Sequence, residues 1–167
     1  MKNRKDISMT KWELLCEAKR FRAAMERARD AEEFNYFVKP NLPEKMNKFP
    51  DDCCDISADL FVHYLYHQYE IISTRIDGDL FDEYLGFTRG HSWQETEGWL
   101  IDLTGDQFDN EKGVIIKSEP VYVGHMDDFH RQFQIRFSEP SCGIECLGEG
   151  CQDRMYGLYT KIMKYLK

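Results

Sequence analysis

Cys53-Cys54, Gly90-His91-Ser92-Trp93 and Ile101-Asp102-Leu103-Thr104 follow one another in an order that suits a thiol nucleophile, its base and an acid that orients the base. A free thiol is mostly protonated at neutral pH. It becomes a good nucleophile when a helix N-terminus and a neighbouring imidazolium lower its pKa. Cys54 stands where an apolar helix should open, and the unpaired N–H groups of that first turn would also favour an oxyanion. Cys53 is the competing nucleophile. Cys54 is preferred because Leu60 and Phe61 then lie about two turns below it on the core-facing side.

The His and the Asp can be tested by strand register. If residues 91–95 and 99–103 pair through a two-residue loop, Glu97-Gly98, Thr96 faces Trp99 and Trp93 faces Asp102. His91 and Asp102 then share a face as diagonal neighbours. A four-residue loop places them directly opposite each other, and only an odd-length loop separates them. Paired in this way, Asp102 fixes the His91 tautomer and stabilises its charged form. Trp93 lies on the same face and would shield the pair from water, which strengthens its electrostatics.

The elements that must position these groups can be read from periodicity. Residues 9–37 read as helix, with Trp12, Leu15, Cys16, Phe21, Met25 and Ala28 in an apolar stripe and Thr10 or Ser8 as cap. A break near Arg29-Asp30 leaves a shorter helix to Phe37. Residues 38–52 contain Pro40, Pro43 and Pro50 and read as a loop, with Asp51 and Asp52 as cap material for the next helix. Residues 54–69 form that helix, burying Ile56, Leu60, Phe61, Tyr64 and Leu65 and leaving Asp59, His63 and His67 largely elsewhere. Strands are expected at 71–76, 91–95, 99–103, 114–116, 121–123 and 134–137, with an irregular stretch at 77–90. A last helix runs from Asp153 to Leu166, its Tyr156, Tyr159 and Tyr165 serving packing. Helices first, then antiparallel strands, then a closing helix make an α+β class. One domain over 1–167 is expected, with a helical extension at 1–37, a catalytic-type core at 49–137 and a closing helix at 152–167.

Composition excludes other classes. At 42% hydrophobic and 14% aromatic the chain is globular. A net charge of −8 argues against nucleic acid as partner, since phosphates need a basic surface. No apolar run long enough to span a membrane occurs, and no apolar segment follows the basic start. A cytoplasmic protein with reduced thiols is expected, although export without a signal would look the same.

Two further clusters can be weighed. Cys142-x3-Cys146-x4-Cys151, with His125 or His130, has four zinc-ligand types, but the spacing is not that of paired C-x-x-C knuckles. A glycine-rich loop with incidental thiols is the preferred reading. His63 and His67 lie four apart on a helix with no obvious third ligand, which makes them exposed polar positions. His125 and His130, near Asp127-Asp128, are placed at a cleft rim. No metal or cofactor is expected.

Phe49-Pro50-x-x-Cys53-Cys54 with Leu60-Phe61, then Gly90-His91-Ser92-Trp93 and Trp99-Leu100-Ile101-Asp102-Leu103-Thr104, resembles the papain-like and transglutaminase-like thiol enzymes. The His-x-Trp and Asp-x-Thr pieces resemble the transglutaminase-like branch in particular. The resemblance implies a Cys-bearing helix packed on an antiparallel sheet, with Cys54, His91 and Asp102 as nucleophile, base and orienter. It implies hydrolysis of an amide or peptide bond through a thioester on a protein, peptide or small amide. Transglutaminase or deamidase chemistry, or a non-catalytic binding protein on the same fold, are the alternatives. The Cys53-Cys54-Asp55 run departs from the usual single Cys of that branch and leaves the register open by one. No Gln precedes the thiol as an oxyanion donor; Gln107, after the Asp strand, is the candidate polar contributor.

Overall fold

The computed structural model describes residues 8–34, 43–83, 86–109 and 119–167. Helix α1 spans Lys11–Asp30 and opens on a capping box. The Thr10 hydroxyl accepts from Glu13 N–H at 3.3 Å, while the Glu13 carboxylate accepts from Thr10 N–H at 2.8 Å. Its buried stripe is Leu14, Ala18, Phe21, Met25 and Ala28, an i, i+4, i+7 series. The expected stripe was partly misplaced, since Trp12 is 71% exposed and Cys16 is exposed. The chain turns after Asp30, with Glu32 at a positive φ of 55°, so no helix continues through residue 34. The rest of the expected helix to Phe37, and the expected strand at 114–116, lie outside the described residues.

The loop expected at 38–52 contains a single-turn helix, α2 (Pro43–Met46), and a cis Phe49–Pro50 peptide. Helix α3 then runs Cys54–Tyr69, as its apolar period predicts. Its expected face is buried, but so are Val62 and His63, because the helix is covered by the sheet on one side and by α1 and the last helix, Glu149–Met163, on others. Phe21 of α1 meets Phe61 and Tyr64 of α3 at ring separations of 5.3 and 5.1 Å.

The sheet is antiparallel, in the order β4-β3-β2-β1-β5: Tyr122–Gly124, Trp99–Asp102, Phe87–Thr96, Ser73–Asp82 and Gln134–Ser141. Most of the stretch expected to be irregular at 77–90 is therefore strand. Gly78 and Gly90 mislead as breakers. Gly78 faces His91 across β1 and β2, and a Cβ there would sit 2.8 Å from Phe133 Cβ and 2.9 Å from the Trp93 ring. The glycine makes room for aromatic packing instead of a turn. The Glu97-Gly98 loop has the two-residue form, with positive φ at both positions and Thr96 opposite Trp99.

Period-two alternation sorts the sheet into two faces. One face, toward α3, carries Ser73, Arg75, Ser92, Gln94 and Ile101. Buried Arg75 pairs with Asp59 of α3 and with Asp77 at 2.7 Å, and it donates to Ser92 at 3.0 Å. The other face carries Ile76, Trp93 and Leu100 and is closed by Phe108, Phe129 and Phe133. The closing helix, α4, spans Glu149–Met163, starting and ending earlier than expected, and buries Met155, Leu158 and Ile162. This is an α+β protein. Among the described residues no helix is long and apolar enough to cross a membrane.

Candidate active site

Cys54 is the first residue of α3 and is half-buried. Cys53 is the N-cap and makes no side-chain cap, so neither Asp51 nor Asp52 plays the capping part the sequence suggested. The two thiols have opposite fates. Cys53 is fully buried and donates to the carbonyls of Lys45 and Asp51 at 2.9 and 3.1 Å. Burial, with Asp55 adding to it, pushes its pKa far up. Cys54 stands close enough to His91 and Gln107 for both side chains to act on its thiol. Burial is the largest single influence on it and opposes ionisation, yet those two contacts and the attraction of His91 carry its pKa below the ordinary thiol value.

His91 and Asp102 form the diagonal pair that the register predicts. The ring Nε2 lies 2.7 Å from Asp102 Oδ2, and both residues are 1% exposed. Strand β3 stops at Asp102. Continuing its register would put Thr104 opposite His91, but the chain there turns into a 3-10 helix, Gly105–Phe108. That turn brings the Gln107 side-chain amide to 2.8 Å from His91 Nδ1, where its NH2 donates to the neutral ring and its oxygen, turned inward, accepts from the imidazolium. Nε2 is thus committed to Asp102, and Nδ1 is the nitrogen on the Gln107 and Cys54 side.

The surroundings of His91 are aromatic. Phe108, Phe133, Trp93 and Phe129 have ring centroids at 5.2, 5.3, 5.6 and 5.7 Å from it. Burial in this box disfavours the imidazolium and is the largest influence, but Asp102 and Cys54 outweigh it and raise His91 to about 10. Asp102 is held well below the carboxylate range: burial opposes its charge, and the two imidazoles that face it prevail. The arrangement favours a thiolate–imidazolium pair over an isolated thiol and a neutral ring.

The second imidazole is His130, which the sequence placed at a cleft rim. It is 1% exposed, its Nε2 lies 3.1 Å from the same Asp102 Oδ2, and its Nδ1 lies 2.6 Å from Asp127 Oδ1. Asp102 Oδ1 accepts from Thr104 N–H at 2.8 Å, so both carboxylate oxygens are engaged. Only the Asp127-x-x-His130 spacing hinted at a fixed ring, and nothing in the sequence said where that segment folds back. His91, Asp102 and His130 would also suit a metal by ligand type. Here one carboxylate oxygen already faces both imidazoles.

Gln107 is positioned from a distance. Arg22 of α1, 7% exposed, makes a two-pronged pair with Asp106 at 2.6 and 2.7 Å and donates to the carbonyls of Leu103 and Pro120. This clamps the residue next to Gln107. Replacing Arg22 by Met should destabilise the fold by about 3 kcal/mol, because the half-enclosed Asp106 loses its partner. It should also slow alkylation of Cys54 by roughly tenfold or more through loss of alignment. Urea unfolding and site-resolved alkylation of the folded variant measure the two effects. A large stability loss with an unchanged alkylation rate would separate the clamp from the site.

The thiol cluster does not meet the histidines named for it. Cys142 and Cys146 lie 2.6 Å apart, whereas His125 stacks on Trp99 at 4.6 Å and His130 serves Asp102. His63 and His67 do have a third group: Glu145 reaches His63 Nδ1 at 3.0 Å and His67 Nε2 at 2.6 Å. His63 is 2% exposed, which corrects its expected exposure. An open groove of about 610 Å³ between α1 and β4, lined by Lys11, Leu15, Lys19 and Val123, contains neither thiol nor imidazole.

No protein-family model, curated protein or solved structure matches the chain.

Proposed function

We propose that this chain is a cysteine-dependent acyl-transfer enzyme of papain-like or transglutaminase-like type. The observation that carries the reading is the alignment of Cys54, at the start of a helix, with a buried His91 whose Nε2 meets a buried carboxylate 2.7 Å away. The Cys54 sulfur attacks a substrate carbonyl carbon. The N–H groups of the first turn of α3 and the Gln107 amide are the donors this reading assigns to the developing oxyanion. The proton on His91 Nδ1 passes to the leaving nitrogen, the C–N bond breaks, and an acyl thioester remains on Cys54. Water, giving its proton back to His91, attacks the thioester and frees the acid and the thiolate. Hydrolysis of an amide or peptide bond is the favoured outcome, and an amine in place of water gives transfer. Asp102 holds Nε2 throughout and keeps Nδ1 turned to the sulfur.

An activated ester tests this without knowledge of the natural substrate. Mixed with p-nitrophenyl acetate, the protein should release a burst of about one nitrophenolate per chain, with the acetyl group mapped to Cys54 by peptide mass. An added amine that shortens the life of the adduct and carries off the acyl group marks transfer. Release without a burst, with no acetyl group on Cys54, would leave a binding protein on this fold.

A further inference from the structure

The other end of α3 carries a second cluster of reactive side chains that the acyl-transfer reading does not use. His63 and His67 are one turn apart on the helix, about 13 and 20 Å along the axis from Cys54. Glu145 comes from the 3-10 turn Ile144–Cys146 that follows β5. We propose that His63, His67 and Glu145 form a binding site for a divalent transition-metal ion of the zinc type. The proposal stands independently of the acyl-transfer reading.

Four features build the site. First, His63 Nδ1, His67 Nε2 and a Glu145 carboxylate oxygen all lie within 4.8 Å of one another. A tetrahedral ion with bonds near ~2.0 Å needs its donors about 3.3 Å apart; Glu145 Oε1 lies 2.6 Å from His67 Nε2 and Oε2 lies 3.0 Å from His63 Nδ1, so the carboxylate already stands between the two rings and each contact would open by a fraction of an ångström to admit an ion. Second, the ligands are held. The His63 ring is wedged edge-on between Tyr159 and Tyr156 at 4.6 and 5.5 Å, and the Tyr156 hydroxyl donates to Glu145 Oε1 at 3.1 Å, as an outer partner of a ligating carboxylate does. Third, the turn is pressed onto the helix. Gly143 has φ +92°, and a Cβ there would fall 2.4 Å from His63 Cα, so only a glycine lets the backbone approach closely enough to bring Glu145 across. Fourth, the His67 side chain is 43% exposed, which gives an ion a path in and leaves water as the remaining ligand.

The donor set names the class of ion. Two imidazoles and one carboxylate are too nitrogen-rich for calcium or magnesium, which take oxygen ligands. The set lacks the thiolates that select copper(I), and it suits zinc and its divalent neighbours. The competing account is a carboxylate that merely staples two imidazoles, tying α3 to the turn.

Calorimetric titration of chelator-treated protein with Zn²⁺, together with the absorption spectrum of the Co²⁺ form, decides between them. The expected result is one ion per chain, bound at least about tenfold more weakly by His67→Ala and by Glu145→Gln. Affinity should be unchanged in Cys54→Ser, and the cobalt spectrum should lack a sulfur-to-metal band. His67 is half-exposed, so its variant should fold even if Glu145→Gln does not. No saturable uptake, or undiminished uptake by His67→Ala, would overturn the site. So would a sulfur-to-cobalt band, which would move binding to Cys142 and Cys146.

Discussion

Replacing Cys54 with Ser should abolish the nitrophenolate burst and lower turnover of any acyl substrate by at least about a thousandfold, with little change in folding stability. A serine hydroxyl does not ionise at neutral pH, so His91 would face a neutral group in place of a thiolate. The same change at Cys53 should do the reverse. That thiol is fully buried, and its two acceptors are backbone carbonyls. Cys53→Ser should keep the burst, while its cost appears as a shift in the urea midpoint. Because the residues are adjacent, the pair of variants decides the register that the sequence left open. A burst that survives Cys54→Ser and disappears in Cys53→Ser would reverse the assignment.

Asp102→Asn should be the second most damaging change. Asp102 offers one oxygen to Thr104 N–H and the other to two imidazoles, so every partner is a donor. An amide has only one oxygen. Whichever way it is turned, its NH2 group meets either the backbone N–H or both rings. The negative charge that outweighs burial at His91 is also lost, so the imidazolium no longer supports the thiolate. With Cys54 back near an ordinary thiol pKa of ~8.5, the thiolate fraction at neutral pH falls to about three per cent, and alkylation slows by up to about thirtyfold. Acyl turnover, which also needs the correct tautomer, should fall by up to about ten-thousandfold. Unfolding should come about 3 kcal/mol more easily, since two buried rings lose a charged partner. Alkylation kinetics and urea titration measure these effects. An unchanged alkylation rate would show that Asp102 is structural only.

Local pattern announced part of this arrangement. The helix Cys54–Tyr69 follows from its apolar period, and the pairing of His91 with Asp102 follows from a two-residue Glu97-Gly98 turn, because side chains alternate strictly along a strand. The length of β1 and β2 was not legible, since Gly78, which makes room for Phe133 and Trp93, and Gly90, paired with Asp79, stand inside strands while reading as breakers. The stripe of α1 was partly misplaced because Trp12 and Cys16 are apolar but face outward. His130, Arg22 and Glu145 were missed for another reason. Arg22 lies 84 residues from Asp106, and Glu145 lies 82 from His63. Such ion pairs are set by tertiary packing and leave no periodic trace. Cys53 and Cys54 could be told apart only by geometry: one residue of helix advance turns one sulfur into the core and the other toward His91.

The central claim is that Cys54 exists as a thiolate held by a protonated His91, and the pH dependence of its alkylation tests that most directly. Iodoacetamide is neutral, so its rate follows the thiolate. The rate at each cysteine can be read by peptide mass, with exposed Cys16 as reference in the same chain. The pKa of Cys54 is lowered, so its thiolate is present above that lowered value and lost only as pH falls through it. His91 is raised to about 10, so the imidazolium persists until pH rises through that region. Alkylation of Cys54 should therefore be faster than that of Cys16 at neutral pH, with its rise displaced to lower pH, and change again near pH about 10, where His91 loses its proton. Acyl turnover should fall on that alkaline limb. A Cys54 rate that rises only through the ordinary thiol range near pH ~8.5, no faster than Cys16, would contradict the pair and the function built on it.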